Sequence, residues 1–210
     1  MRIQRSNTLQ QRQTGVGMIE VLVTLFILSV GLLGVASLQF ISSLSNSDAL
    51  SRSQSVMVAQ QLSERLRASA VMSQVGDGMV VDNAYFNADI YNFNGLSCSG
   101  GGLPFACFCL QIPAGVPDCR GNSCSAAELA AFDAYEASCA AVAVNPGIEV
   151  VLTCDDNDGG DTDLCSAGSR HRVMLAWPVE SWQDNERVLN AECNEGRSTP
   201  HDCVVVEITL

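Results

Sequence analysis

The chain opens on a polar, arginine-bearing stretch and then turns apolar: from Val21 to Ile41 no charged residue occurs. An uncharged run of this length is what a helix needs to cross the roughly 30 Å hydrocarbon core of a bilayer. Serines become frequent after Ile41, yet neither Pro nor Gly appears between Val35 and Val75, so the helix is expected to continue. Val58, Leu62, Leu66 and Ala70 recur every fourth residue, with Glu64 and Arg67 off that stripe. This is the pattern of a helix laying one face on a globular domain. One long helix is therefore predicted over residues 16–75, apolar to about residue 41 and amphipathic over 42–75, with Gly76 and Gly78 marking its end.

Residues 79–124 are rich in Gly, Asn and Cys and carry no sustained period, which reads as a loop region held by cross-links. Ser125 and Glu128 have capping-box spacing and open an alanine-rich stretch that runs to about Val144, where Asn145-Pro146-Gly147 stops it. A second, short helix is predicted there. Three strand candidates follow, at 148–154, 172–177 and 203–210; in the middle one Val173, Leu175 and Trp177 alternate with Arg172, Met174 and Ala176. The expected fold class is α+β, a long N-terminal helix packed on an antiparallel sheet in a disulfide-stapled head.

Composition sharpens this picture. The formal net charge is −12, and every basic residue is Arg. Arg2, Arg5 and Arg12 all precede the apolar run, so the body beyond them is more acidic still. An acidic body repels phosphates and offers no basic stripe, which sets nucleic-acid binding aside. The ten cysteines, Cys98, Cys107, Cys109, Cys119, Cys124, Cys139, Cys154, Cys165, Cys193 and Cys203, all lie well beyond the apolar run, from residue 98 onward. No pair has the C-x-x-C spacing of a zinc ribbon or redox motif, Cys107-Phe108-Cys109 being the nearest approach, and only His171 and His201 could add imidazole ligands. Disulfides in an oxidising, extracytoplasmic compartment are the favoured reading, with the pairing left open.

The junction itself reads Gln13-Thr14-Gly15-Val16-Gly17-Met18-Ile19-Glu20-Val21-Leu22. Basic residues before the apolar run and an acidic body after it predict a cytoplasmic start and an extracytoplasmic body. A secretory signal would have a shorter apolar core followed by a small-residue cleavage site, which is not the pattern here. A plain, uncut signal anchor is the harder alternative. Glu20 argues against it, because a carboxylate at the start of a membrane run is costly and calls for a partner or a function.

These residues resemble the type IV prepilin leader: a short basic segment ending in Gly15, with Glu20 as the fifth residue beyond it. The further run Gly17-Met18-Ile19-Glu20-Val21-Leu22-Val23, with Gly31-Leu32-Leu33-Gly34 before Leu38-Gln39, is similar to the PilV-type minor pilins, the pilus modification proteins. Phe132-Asp133-Ala134-Tyr135-Glu136 and the strand from Val173 to Trp177 are similar to the heads of such proteins, although Ala137 stands where many have Trp and Val16 where many begin with Phe.

The resemblance implies removal of residues 1–15 by a prepilin peptidase cutting between Gly15 and Val16, and methylation of the new amine. It implies that Glu20 neutralises the amino terminus of a neighbouring subunit, an opposite charge being far cheaper to bury than a lone one. The alternative is that Glu20 sits at the lipid headgroups. Residues 16–75 would be the long helix and 76–210 an extracytoplasmic head, held by a single pass in the bacterial inner membrane before entering a pilus on the cell surface. The implied partners are other major and minor pilins, the peptidase, the inner-membrane assembly platform and a tip adhesin. A minor pseudopilin of a type II secretion system shares leader and helix and remains the alternative, with an uncut, membrane-anchored binding domain behind it. Gly31, Gly34 and Ala36 are candidates for close helix contacts or local unwinding, in a helix that lacks the proline common in major pilins.

Other chemistry is weakly represented. Asp155, Asp156, Asp158, Asp161 and Asp163 form an oxygen-rich loop of the kind that can bind calcium, but the EF-hand frame fails at Gly159 and Ser166, and a solvated turn is the favoured reading. Gly95-Leu96-Ser97-Cys98-Ser99-Gly100 only approaches a nucleophile elbow. Gly15-x-Gly17 fails as a dinucleotide fingerprint, since Glu20 replaces the third glycine. No cofactor and no catalytic residue is expected.

Overall fold

The computed structural model describes residues 15, 17–74, 76, 78–98, 102–160, 162–179 and 189–210. Helix α1 spans Met18–Ser69, and two compact units divide the chain at residues 1–47 and 48–210.

In the first unit the large apolar side chains of α1 are exposed, Phe26 at 70% and Leu33 at 69%, so they are left for an apolar environment to cover. An 18-residue window of this helix has a mean hydropathy of 2.5, and the helix is long and apolar enough to cross a membrane. The hydroxyls of Thr24, Ser29 and Ser37 donate to the carbonyls of Val21, Phe26 and Leu33. These polar groups are thereby satisfied within the helix and add little cost in hydrocarbon.

In the second unit α1 buries Val58, Ala59, Leu62 and Leu66, the face that the four-residue spacing predicts. Ser55 and Ser63 share that face, each donating its hydroxyl to the carbonyl four residues earlier at 2.8 Å. The helix ends at Ser69, short of the expected residue 75. Val71–Met72 instead forms β1, paired antiparallel with β2 at Met79–Val80. A β-branched residue such as Val71 favours the extended pairing. Gly78, at φ +135°, supplies the backbone for the return, and a Cβ there would stand 2.6 Å from that of Ala167. Gly78 therefore serves the hairpin rather than the helix stop.

The segment after β2 runs through short 3₁₀ turns at Asn83–Phe86 and Ala88–Ile90 and a π turn at Phe105–Cys109. Helix α2 spans Ala126–Val144, with the reciprocal Ser125 and Glu128 capping box at its start and Asn145 at its end. Its alanines 130, 134, 137 and 141 line up on one buried face, small enough to let the helix approach its neighbours closely. Strands β3 (Glu149–Asp155), β4 (Arg170–Pro178) and β5 (His201–Thr209) form an antiparallel sheet in that order. Each lies within two residues of its predicted bounds. Val173, Leu175 and Trp177 of β4 join one core with the buried faces of both helices. On the other side Ala176 packs with Cys193 and Cys203 in a smaller cluster.

Candidate functional site

Gly15 is exposed, and a Cβ built on it would meet nothing within 4 Å. Among the described residues the fold makes no use of its smallness, so the demand for glycine is to be sought outside the folded chain. Gly31 and Gly34 have the same open surroundings. Val16, the other half of the expected cleavage site, lies outside the described residues, as do Arg2, Arg5 and Arg12.

Glu20 sits in the first turn of α1, with its N–H donating to the Gly17 carbonyl at 2.9 Å. It is the one acidic residue before Asp48. The unpaired amides of a helix start favour a carboxylate there, so Glu20 is locally tolerated even before any partner is considered. Residues 10–36 match the family described as the prokaryotic N-terminal methylation motif.

The methylation motif takes in Gly15, Val16 and Glu20 together with residues 21–36 of the apolar run. It establishes a type IV prepilin-like leader on this chain and, with the apolar helix behind it, a pilin or pseudopilin kind of role with membrane anchoring. The motif covers only the amino-terminal part of the chain. No curated protein and no solved structure matches the sequence.

Beyond the methylation motif the second unit is tied together by cross-links and a half-buried charge cluster centred on the buried Asp133. All ten cysteines are paired: Cys98–Cys107, Cys109–Cys139, Cys119–Cys124, Cys154–Cys165 and Cys193–Cys203. Cys109–Cys139 spans 30 residues and fastens the Cys-rich loop to α2, while the other four close local loops. Arg65 of α1 reaches α2, donating to Asp133 at 2.6 Å and to Glu136. Arg120 also donates to Glu136, at 3.0 Å, with its guanidinium over the Phe132 ring. Tyr85 donates its hydroxyl to the second Asp133 oxygen at 2.6 Å, and Tyr91 donates to the Tyr85 carbonyl at 2.9 Å. Burial, and for Tyr85 also the bond to Asp133, pushes both phenols above their ordinary pKa. Burial pulls the Arg65 guanidinium down, but its bonds to Asp133 and Glu136 outweigh this and leave it raised. The Phe132 to Glu136 segment is thus the clamp on α1, and Tyr135 adds a bond to the Phe108 carbonyl at 2.9 Å. Nothing in the sequence periodicity pointed to Arg65 or Tyr85.

The acidic loop behaves as a self-bonded turn. Asp156 accepts from the backbone N–H of Ser166 at 2.9 Å and from the Ser169 hydroxyl at 3.1 Å. The Ser166 amide above all, with the neighbouring hydroxyls and the Asp158 amide, holds its carboxyl down at about 2. Asp158 accepts from Gly160 N–H at 3.1 Å, Ser73 donates to Asp163 at 3.4 Å, and Asp155 pairs in register with Arg170. Asp161 lies outside the described residues. Among the described residues no group of three or more His, Cys, Asp or Glu side chains is gathered as metal ligands. His171 is fully buried; burial holds its imidazole below the ordinary range, and Nε2 has no hydrogen-bond partner among the described residues.

Proposed function

We propose that the chain is the precursor of a minor pilin of the PilV type, which takes part in the assembly, priming or tip modification of a type IV pilus. The peptidase removes residues 1–15, the new Val16 amine is methylated, and the subunit waits in the inner membrane with its head in the periplasm. It then passes through the assembly platform into the filament beside other major and minor pilins and, at the tip, an adhesin. The role is structural rather than catalytic. The carrying observation is that a methylation motif runs directly into a helix whose apolar side chains the chain itself leaves exposed. Two glycines on that helix have open surroundings, as close packing between subunits requires. Glu20 supplies the charge that sets the stagger between neighbours.

Intact mass of the native chain, from sheared surface filaments and from membranes, tests this. The expected species lacks residues 1–15, carries one methyl group and gains about 10 Da on reduction of its five disulfides. Presence in the sheared fraction supports the pilus. Co-purification with secretion components instead assigns the chain to a type II pseudopilus, which uses the same leader. A retained leader overturns both.

A further inference from the structure

Phe93 has a backbone φ of +61°, next to Asn92 at +55°. A bulky side chain in the left-handed region is a true outlier, and such outliers point toward function when the surroundings enforce them. The surroundings do enforce this one: Phe93 stacks on Phe108 with centroids 4.7 Å apart, and its ring stands edge-on to Tyr135 at 6.4 Å. Phe93 and Tyr135 thereby form the aromatic wall of an open cavity of about 130 Å³, completed by Ile90, Leu96 and Val116, with Asp89 and Asn94 among its lining residues.

The size limits the occupant. At roughly 30 Å³ per water the cavity is worth about four waters, well below the roughly 300–1,000 Å³ of small-molecule sites. It has room for one side chain. The polar atoms set the sign. The Asp89 carboxylate is exposed and takes part in no ion pair among the described residues, the only bond to that residue being from its own N–H to Asn87. One N–H of the Asn94 amide donates to the Ala88 carbonyl at 3.2 Å, which fixes the side chain and keeps its oxygen as an acceptor. The neighbouring cation, Arg120, is engaged with Glu136. An aliphatic and aromatic hole edged by acceptors suits a side chain with an apolar stem and a cationic head. The wider field agrees, the formal net charge of the chain being −12.

The geometry points to this cavity as a docking hole for a lysine or arginine side chain presented by a basic surface of a partner protein. The chain has no lysine of its own. The inference rests on the cavity residues between 89 and 135 and on the chain's acidic charge, and does not depend on the filament role.

The full chain in lipid nanodiscs, labelled at Ile, Leu and Val methyls, is titrated with Nα-acetyl-lysinamide, Nα-acetyl-norleucinamide and methyl α-glucoside. Saturable shifts of the Ile90, Leu96 and Val116 methyls with the lysine probe are expected, weaker with norleucine. Asp89→Asn should weaken the lysine response roughly three- to fivefold, as loss of an exposed ion pair does, and Asn94→Ala should weaken it further. Both positions are exposed, and unchanged methyl dispersion away from the cavity confirms folding. Equal response to norleucine, preference for the glucoside, no response at these methyls, or an Asp89→Asn response equal to wild type each overturns the proposal.

Discussion

The side-chain amide of Asn92 bonds the backbone of Val150 in both directions: Nδ2 donates to the Val150 carbonyl at 2.9 Å, and Oδ1 accepts from the Val150 N–H at 2.8 Å. Val150 lies on β3, an edge of the three-stranded sheet. A single asparagine therefore does the work of a neighbouring strand at that point and blunts an edge that could pair with another chain.

Removing this pairing should be costly. Asn92→Ala leaves two backbone groups of Val150 without their partner and places alanine at a positive φ, which should cost about 2–4 kcal/mol. Denaturant unfolding of the full chain in detergent measures it. A loss below about 1 kcal/mol would mean that water replaces the amide freely.

Arg65 joins α1 to α2 through Asp133 and Glu136, and the Asp133 side chain is only 6% exposed. Arg65→Met strands that carboxylate and should destabilise the fold by about 2–4 kcal/mol. Asp133→Asn in the same chain should restore part of the loss, since a neutral amide has less need of the guanidinium. Additive single and double variants would show that the pair is not coupled.

The disulfides should differ in importance with loop length. On the chain-entropy account, removing Cys109–Cys139, 30 residues apart, costs about 3.5 kcal/mol, and removing Cys119–Cys124, 5 apart, costs about 2 kcal/mol. Thermal unfolding of the paired Cys→Ser variants should follow that order. The reverse order would point to native packing rather than chain entropy.

Two groups predict loss of stability in acid. The Asp156 carboxyl, at about 2 in the folded chain against an ordinary 3.8, contributes stability that is complete above about pH 4 and declines between pH 4 and 2. His171 is held below its ordinary 6.5, so the unfolded chain takes up its proton first and stability begins to fall as pH drops below about 6.5. Melting temperatures across pH 2–8 should show both steps, with Asp156→Asn flattening the lower and His171→Gln the upper. A variant that leaves its step unchanged removes that group from the account.

Glu20→Ala should insert in the membrane and be processed, yet enter filaments poorly, because the charge that would neutralise a neighbouring amino terminus is gone. Immunoblots of sheared and membrane fractions compare the two. Normal incorporation would leave Glu20 as a helix-start carboxylate only.

What the sequence determined by itself is what short-range patterns encode. The uncharged run from Val21, the four-residue stripe on α1, the Ser125 to Glu128 cap and the alternation along β4 each declare themselves within one or two turns or a few strand residues. The methylation motif is equally local, lying within residues 10–36. Tertiary structure alone decided what depends on distant partners. Ten equivalent cysteines do not reveal their pairing. Arg65 finds its acids 68 and 71 residues away, and Asn92 finds Val150 at 58. Residues 70–75 contain no helix breaker, so local propensity carries the helix on; the strand at 79–80 competes for Val71 and Met72 and ends it at Ser69. Such choices rest on contacts whose free energy exists only once both partners are in place, and no window along the chain contains both.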